Sequence, residues 1–105
     1  MKKFAFAYYG EPNFKKSEDG KKHMVEWGAW AKKLGKSLVD PGVPLISPKT
    51  VSSKGVKDGD RPNRLTGFSV VEAKSIEDAI EMAKSCPHLN YGTIDVAEVM
   101  DMKMD

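Results

Sequence analysis

The segment of residues 4–9 most restricts how this chain can fold. Alternate side chains of a β-strand point to opposite faces of its sheet. The two faces of this segment carry Phe4, Phe6 and Tyr8 on one side and Ala5, Ala7 and Tyr9 on the other. Both faces are apolar, which is typical of a strand covered on both sides. Because a chain of 105 residues can supply helices for only one face, we expect a second copy of the chain to cover the other.

Strand and helix patterns alternate along the rest of the chain. A helix is predicted over residues 21–36, with an apolar stripe formed by Met24, Trp27, Ala31 and Leu34 and with Trp30 on its flank. Gly28 inside this helix is interpreted as a point of close packing on the sheet. A second helix is predicted from the N-cap Ser75 to the stop at Pro87, with Ile76, Ala79, Ile80 and Ala83 buried.

Further strands are predicted at 37–46, with an irregular edge after Pro41, at 67–73 and at 93–100, and a short hairpin at 49–56. The order β-α-β-(hairpin)-β-α-β is a split βαβ pattern. The sequence therefore predicts an α+β, ferredoxin-like fold with an antiparallel sheet and two helices on one face. The simplest partner for the other face is a second copy, which makes the chain a homodimer.

Composition narrows the class of protein. We expect one domain over residues 1–105, with a tail from about residue 101 that is either mobile or packed on a partner subunit. Lysine and arginine total 17 against 15 acidic residues, a balance that argues against nucleic acid as a partner. The single cysteine, Cys86, permits no internal disulfide. No apolar run is long enough for a membrane span or a signal peptide, so no membrane contact and a cytoplasmic location are expected.

Several motifs, taken in order and spacing, carry a resemblance to a known family. They are Trp27-Gly28-Ala29-Trp30, Leu34-Gly35, the run LVDPGVP from Leu38 to Pro44, the run LTGFSVVEA from Leu65 to Ala73, and the run AKSCPHL from Ala83 to Leu89. Together they make the chain similar to the YCII-related (DGPF-domain) family. The resemblance implies a dimeric α+β barrel. It implies little about activity, because its members differ in role: a few relatives are linked to dechlorination of aromatic compounds, and others are joined to sigma factors.

One departure from the family pattern bears on chemistry. The resemblance implies a histidine near the first helix and an aspartate just before the proline that follows the second helix, proposed as an acid/base pair. His23 lies near the first of these positions, but the residue before Pro87 is Cys86. The family's histidine–aspartate pair therefore does not carry over to this chain.

The candidate catalytic residues are His88 and Asp40, and the candidate ligand-binding residues are Tyr9 and Trp30. Imidazole exchanges protons near neutral pH, so His88 is the candidate acid or base, with a structural histidine bonded to a backbone carbonyl as the alternative. Asp40 lies in a turn and would orient His88 if the two side chains meet; otherwise it only builds the turn. Tyr9 and Trp30 are candidates for the wall of a ligand cavity, and Trp30 alternatively for a dimer contact.

Other chemistries have little support in the sequence. Cys86 follows a helix C-terminus, whose partial negative charge raises the pKa of a thiol, so we interpret it as a buried structural residue. The chain has no glycine-rich phosphate loop, no nucleophile elbow and no spaced metal ligands. We therefore expect no cofactor and no metal.

Two functions remain open at this point. The first is a small-molecule-binding protein with cofactor-free acid/base activity of a lyase or isomerase type, in which His88 and Asp40 act on a ligand held by Tyr9 and Trp30. The second is a non-catalytic dimeric interaction or regulatory module. The sequence does not decide whether the chain is an enzyme.

Overall fold

The computed structural model describes residues 1–10, 17–59 and 61–101. Its helices are α1 (Ser17–Leu34) and α2 (Ile76–Lys84), followed by the 3-10 turns Gly35–Ser37 and Pro87–Asn90, respectively. Its strands are β1 (Lys2–Tyr9), β2 (Leu38–Asp40), β3 (Lys49–Ser52), β4 (Gly55–Asp58), β5 (Leu65–Ala73) and β6 (Thr93–Glu98). The predicted tail falls largely on residues 102–105, which lie outside the described residues.

The main sheet has the strand order β2-β5-β1-β6, and every neighbouring pair is antiparallel. Strands β3 and β4 form a separate hairpin, as the sequence predicted. After β2 the chain stays near the edge of β5, where Pro44 bridges Gly67 and the Leu45 N–H donates to the Thr66 carbonyl at 2.9 Å. The structure thus confirms the α+β class, the antiparallel sheet and the irregular edge.

The core lies between the sheet and the two helices. Phe4, Phe6 and Tyr8 are buried on the helix side, together with Val71 of the neighbouring strand. The opposite face of β1 is only partly covered, and the register pairs Ala5 with Val70 on that face. The alternation of the two faces in residues 4–9 is therefore confirmed, and no helix of the described residues lies over the second face.

Helix α2 follows the sequence closely. The Ser75 hydroxyl accepts from the Asp78 N–H at 3.3 Å and caps the first turn. Ala79 and Ala83 are buried as predicted, but the prediction for Ile76 and Ile80 is wrong, because their side chains are 40% and 38% exposed in the single chain. Pro87 opens the turn that follows the helix, as expected for a residue that cannot continue a helix.

Helix α1 departs from the prediction in register. It begins at Ser17 instead of residue 21, and Trp30 is buried whereas Met24 is 75% exposed. The helix packs only its second half on the core, so the buried line runs through Trp30, with Trp27 and Leu34 packed beside it. The interpretation of Gly28 is wrong, because this residue is exposed and an added Cβ would meet nothing within 4 Å. Within the described residues, no helix has the length and apolar character needed to cross a membrane.

Candidate functional site

A cavity of about 530 Å³ lies on the helix side of the sheet. It is bounded by the first half of α1, by the segment of residues 41–46 and by the start of β5. Its lining consists of Tyr8, His23, Met24, Trp27, Pro41, Gly42, Val43, Pro44, Leu45, Ile46, Thr66, Gly67, Phe68 and His88. Apart from the two histidines, all of these residues are uncharged. The size and the mainly apolar lining are typical of a small-molecule site.

His88 lines this cavity, and a hydrogen bond to the backbone holds its ring. It lies in the 3-10 turn after α2, is 4% exposed, and its Nε2 lies 2.8 Å from the Tyr9 carbonyl. A carbonyl can only accept, so Nε2 carries the proton and Nδ1 is the basic nitrogen of the neutral ring. The imidazole also lies against the Tyr8 ring, with 5.2 Å between ring centroids. The structure thus gives His88 one defined tautomer and one defined orientation.

His23 is the second imidazole of the cavity. The Trp27 indole N–H donates to its Nε2 at 2.7 Å, one helical turn along α1. Burial lowers the pKa of His23 below its ordinary value, the charge of Glu26 opposes this shift, and the charge of His88 adds to it. An indole donor also requires an unprotonated Nε2. His23 is therefore neutral at pH 7.

Aromatic rings connect the two histidines. Tyr8 lies against His88, Trp27 meets Tyr8 edge to face at 5.2 Å, and His23 packs on Trp27 at 6.1 Å between centroids. Edge-to-face pairs of this kind are favourable and fix the rings against one another. The two histidines consequently belong to one packed group on β1, α1 and the turn after α2.

The structure does not join Asp40 to His88. The Asp40 carboxylate is exposed and accepts from the Gly42 N–H at 2.8 Å, the contact of a turn residue. Within the described chain, no hydrogen bond or ion pair links it to His88. Asp40 precedes the segment 41–46 that walls the cavity, and the turn it builds directs that segment along β5.

Tyr9 and Trp30 also lie away from this cavity. The Tyr9 side chain is on the helix-free face of the sheet, and its backbone carbonyl is what contacts His88. Trp30 is a core residue whose indole N–H donates to the Met82 carbonyl at 3.0 Å; one side of it borders a second, shallower hollow near Cys86. Tyr8, which precedes Tyr9 in β1, and Trp27, three residues before Trp30 on α1, line the cavity instead.

Sequence reasoning missed Tyr8, Trp27 and the segment 41–46 as parts of a site. The spacing of His23 and Trp27, four residues apart on a helix, was a signal that these side chains meet. No comparable signal marked the segment 41–46. Its position depends on contacts with β5, more than 20 residues further along the chain.

Cys86 is buried, as expected, and is 3% exposed. Burial raises the pKa of its thiol to about 11, although contacts with the His88 backbone N–H and with the Tyr8 hydroxyl act in the opposite direction. The dominant cause is desolvation and not the helix dipole invoked from the sequence. A thiol of this kind remains protonated at neutral pH and is a poor nucleophile.

The raised pKa predicts a loss of stability at alkaline pH. The unfolded chain loses the Cys86 proton near pH 9 and the folded chain near pH 11, so this contribution is present below pH 9 and is lost as pH rises to 11. Cys86→Ala should reduce the fall in unfolding free energy between pH 8 and pH 10.5 by about 1–3 kcal/mol. Urea unfolding of the unaltered protein and of Cys86→Ala at both pH values measures the two falls in unfolding free energy. Equal falls would contradict the raised pKa of Cys86.

The described part of the chain contains no set of side chains suited to binding a metal ion. Among residues 1–10, 17–59 and 61–101, no group of three or more His, Cys, Asp or Glu side chains is arranged to hold a metal ion. The chemistry available in the cavity is that of two imidazoles, a buried phenol and apolar walls.

Comparisons with known proteins agree with the fold. No curated protein matches the chain. Among solved structures, it is similar to 5-chloro-2-hydroxyhydroquinone dehydrochlorinase from Burkholderia phenoliruptrix AC1100 in complex with 2,5-dihydroxybenzoquinone, with a TM-score of 0.61, 13% identity and 93% of each chain covered. At that identity the likeness shows a shared fold. The model of the YCII-related domain matches residues 1–103. This chain therefore belongs to the YCII-related domain family.

Proposed function

We propose that this protein binds a small, flat, hydroxylated molecule in the cavity between α1 and the segment 41–46, and that His88 exchanges a proton with it. The observation that carries the proposal is the placement of two imidazoles, His23 and His88, in one cavity whose other lining residues are uncharged. Reactions of the lyase or isomerase type need a proton acceptor beside the substrate, and imidazole supplies it near neutral pH.

The cavity suits an aromatic ligand. Trp27 and Tyr8 offer ring surfaces, and Met24 and Ile46, both largely exposed, would be covered by a bound molecule. With no Lys or Arg in the described lining, a ligand that is uncharged at its buried end is favoured over a carboxylate or phosphate. The solved structure of similar fold holds 2,5-dihydroxybenzoquinone, a flat hydroxylated ring.

The two histidines take different roles in this proposal. His88 donates through Nε2 to Tyr9, so its Nδ1 is the nitrogen that accepts a proton from a ligand hydroxyl. His23 is held neutral by burial and presents a polar but uncharged side chain to the ligand. Asp40 stays a turn residue, and the orienting partner of His88 is the backbone carbonyl of Tyr9.

Binding of hydroquinone tests the proposal. This uncharged probe should quench the tryptophan fluorescence with a Kd of roughly 0.1–1 mM, in keeping with its few heavy atoms. His88→Ala should weaken binding about tenfold, because a ligand hydroxyl loses its hydrogen-bond partner. Calorimetric titration under anaerobic conditions provides a second measurement of both constants.

Two comparisons sharpen this experiment. Leu89→Ala alters the residue next to His88 but lies outside the cavity lining, so it should bind as the unaltered protein does. The acidic 2,5-dihydroxybenzoquinone, an anion at neutral pH, should bind more weakly than hydroquinone. Absence of hydroquinone binding would reject the proposed site and favour the non-catalytic interaction module, and tighter binding of 2,5-dihydroxybenzoquinone would contradict the preference for an uncharged ligand.

We also propose that two copies associate through the helix-free face of the sheet as a dimeric α+β barrel. Ala5, Ala7 and Val70 on this face are partly buried already, and Phe68 is 38% exposed. A sheet face of this apolar character is normally covered. A two-fold axis would stack the two sheets and bury the same residues from each copy.

A further inference from the structure

Ser69 is a buried polar side chain that the proposed chemistry does not use. It lies in the middle of β5, faces the helix side and is 1% exposed. Serine is not a residue expected in the interior of a strand that packs on a core. Buried hydroxyls are retained where they make hydrogen bonds, so its partners indicate what it does.

Two hydrogen bonds place Ser69 between the core and the cavity wall. Its hydroxyl donates to the Pro41 carbonyl at 2.8 Å and accepts from the Tyr8 hydroxyl at 2.9 Å. The direction of both bonds is fixed, because the Pro41 carbonyl can only accept. Pro41, which accepts the hydrogen bond from Ser69, is the first residue of the segment 41–46.

The segment 41–46 also follows β5 through its backbone, since Asp40 just before it pairs with Val70 and Pro44 bridges Gly67. Gly42 lies so close to β5 that an added Cβ would be 1.7 Å from the Phe68 carbonyl, and its φ of +73° suits glycine. Further along, the Leu45 N–H donates to the Thr66 carbonyl. Val43 and Ile46 are exposed and add little packing. Within the described residues, the Ser69–Pro41 bond adds to this backbone pairing a side-chain hydrogen bond from β5 to the start of the segment.

We propose that Ser69 is a positioning residue that sets the width of the cavity by fastening the segment 41–46 to β5. Ser69 does not line the cavity, so it acts on a ligand only through the wall it holds. The effect on ligand affinity rests on the proposed function, whereas the effect on the wall does not.

Hydrogen exchange of the Leu45 amide tests the attachment without any ligand. In Ser69→Ala the Pro41 carbonyl loses its donor, and the exchange of Leu45 should become about tenfold faster. Tyr8→Phe is the matched variant, since it removes the hydroxyl that donates to Ser69 but leaves Ser69 able to donate to Pro41. Its Leu45 exchange should stay close to that of the unaltered protein. Amides of β1 report global stability in each case.

Hydroquinone binding provides the second measurement. Ser69→Ala should weaken it several-fold, although both imidazoles remain in place. Unchanged Leu45 exchange in Ser69→Ala would overturn the proposal, as would an equal acceleration in Tyr8→Phe or an acceleration spread evenly over β1. If the unaltered protein does not bind hydroquinone, the proposed function fails, and the exchange of Leu45 still decides whether Ser69 fastens the wall.

Discussion

Gly92→Ala should destabilise the protein by about 2–3 kcal/mol and displace His88 from its place. A Cβ at this position would lie 1.9 Å from the Tyr9 carbonyl oxygen and 2.9 Å from His88 Nε2. These are the two atoms of the hydrogen bond that fixes the imidazole. Because the end of β1 and the turn before β6 cannot both keep their positions, the added methyl group overpacks the site.

Two measurements check this expectation. Thermal unfolding should show a midpoint lowered by roughly 10 °C, and long-range proton–nitrogen NMR spectra should show that His88 no longer holds its proton on Nε2 alone. Gly28→Ala is the matched control: that glycine is exposed inside a helix with open space around it, so alanine should stabilise by about 0.5–1 kcal/mol. A stable Gly92→Ala protein with an unaltered His88 spectrum would contradict the described contacts.

Val70→Lys should convert the proposed dimer to a monomer. Val70 lies on the helix-free face, opposite Ala5 in the register. In a two-fold arrangement each lysine would be brought to an apolar interface and near its symmetry mate, so association should weaken by at least about 100-fold. Light scattering at micromolar concentration should show a fall from twice the chain mass to the mass of one chain.

The control for this variant is Val25→Lys. Val25 is 72% exposed on α1, in the helix layer, so lysine there should leave the dimer intact. A monomeric unaltered protein at micromolar concentration would reject the proposed dimer, and dimers in both variants would place the interface elsewhere.

Local patterns predicted much of the architecture. The Ser75 cap, the stop at Pro87 and the alternation in residues 4–9 each depend on neighbours within a few residues, and the structure confirms all three. The register of α1 was predicted less well. Its buried side was assigned to a stripe that includes Met24, but the sheet and α2 contact only the second half of the helix, and there Trp30 faces the core.

The candidate site was predicted only in part. His88 lies in a cavity, but its fixed partner is a backbone carbonyl of β1, 79 residues away in sequence. Every residue has a backbone carbonyl, so the pattern of side chains cannot indicate which carbonyl accepts from His88. The sequence predicts Asp40 as the partner of His88, because carboxylates orient histidines in acid/base sites, yet the Asp40 carboxylate accepts from the Gly42 N–H of its own turn.

The sequence by itself determined the order of strands and helices and the two apolar faces of β1, because these follow from short-range periodicity. The burial that keeps the Cys86 thiol protonated came from the fold. The tertiary structure decided which side chains share a cavity. Pairing of β1 with β5 places Tyr8 beside Ser69, and packing of α1 on that sheet brings His23 and Trp27 toward His88. These contacts join residues distant in sequence, and only the folded packing fixes their distances.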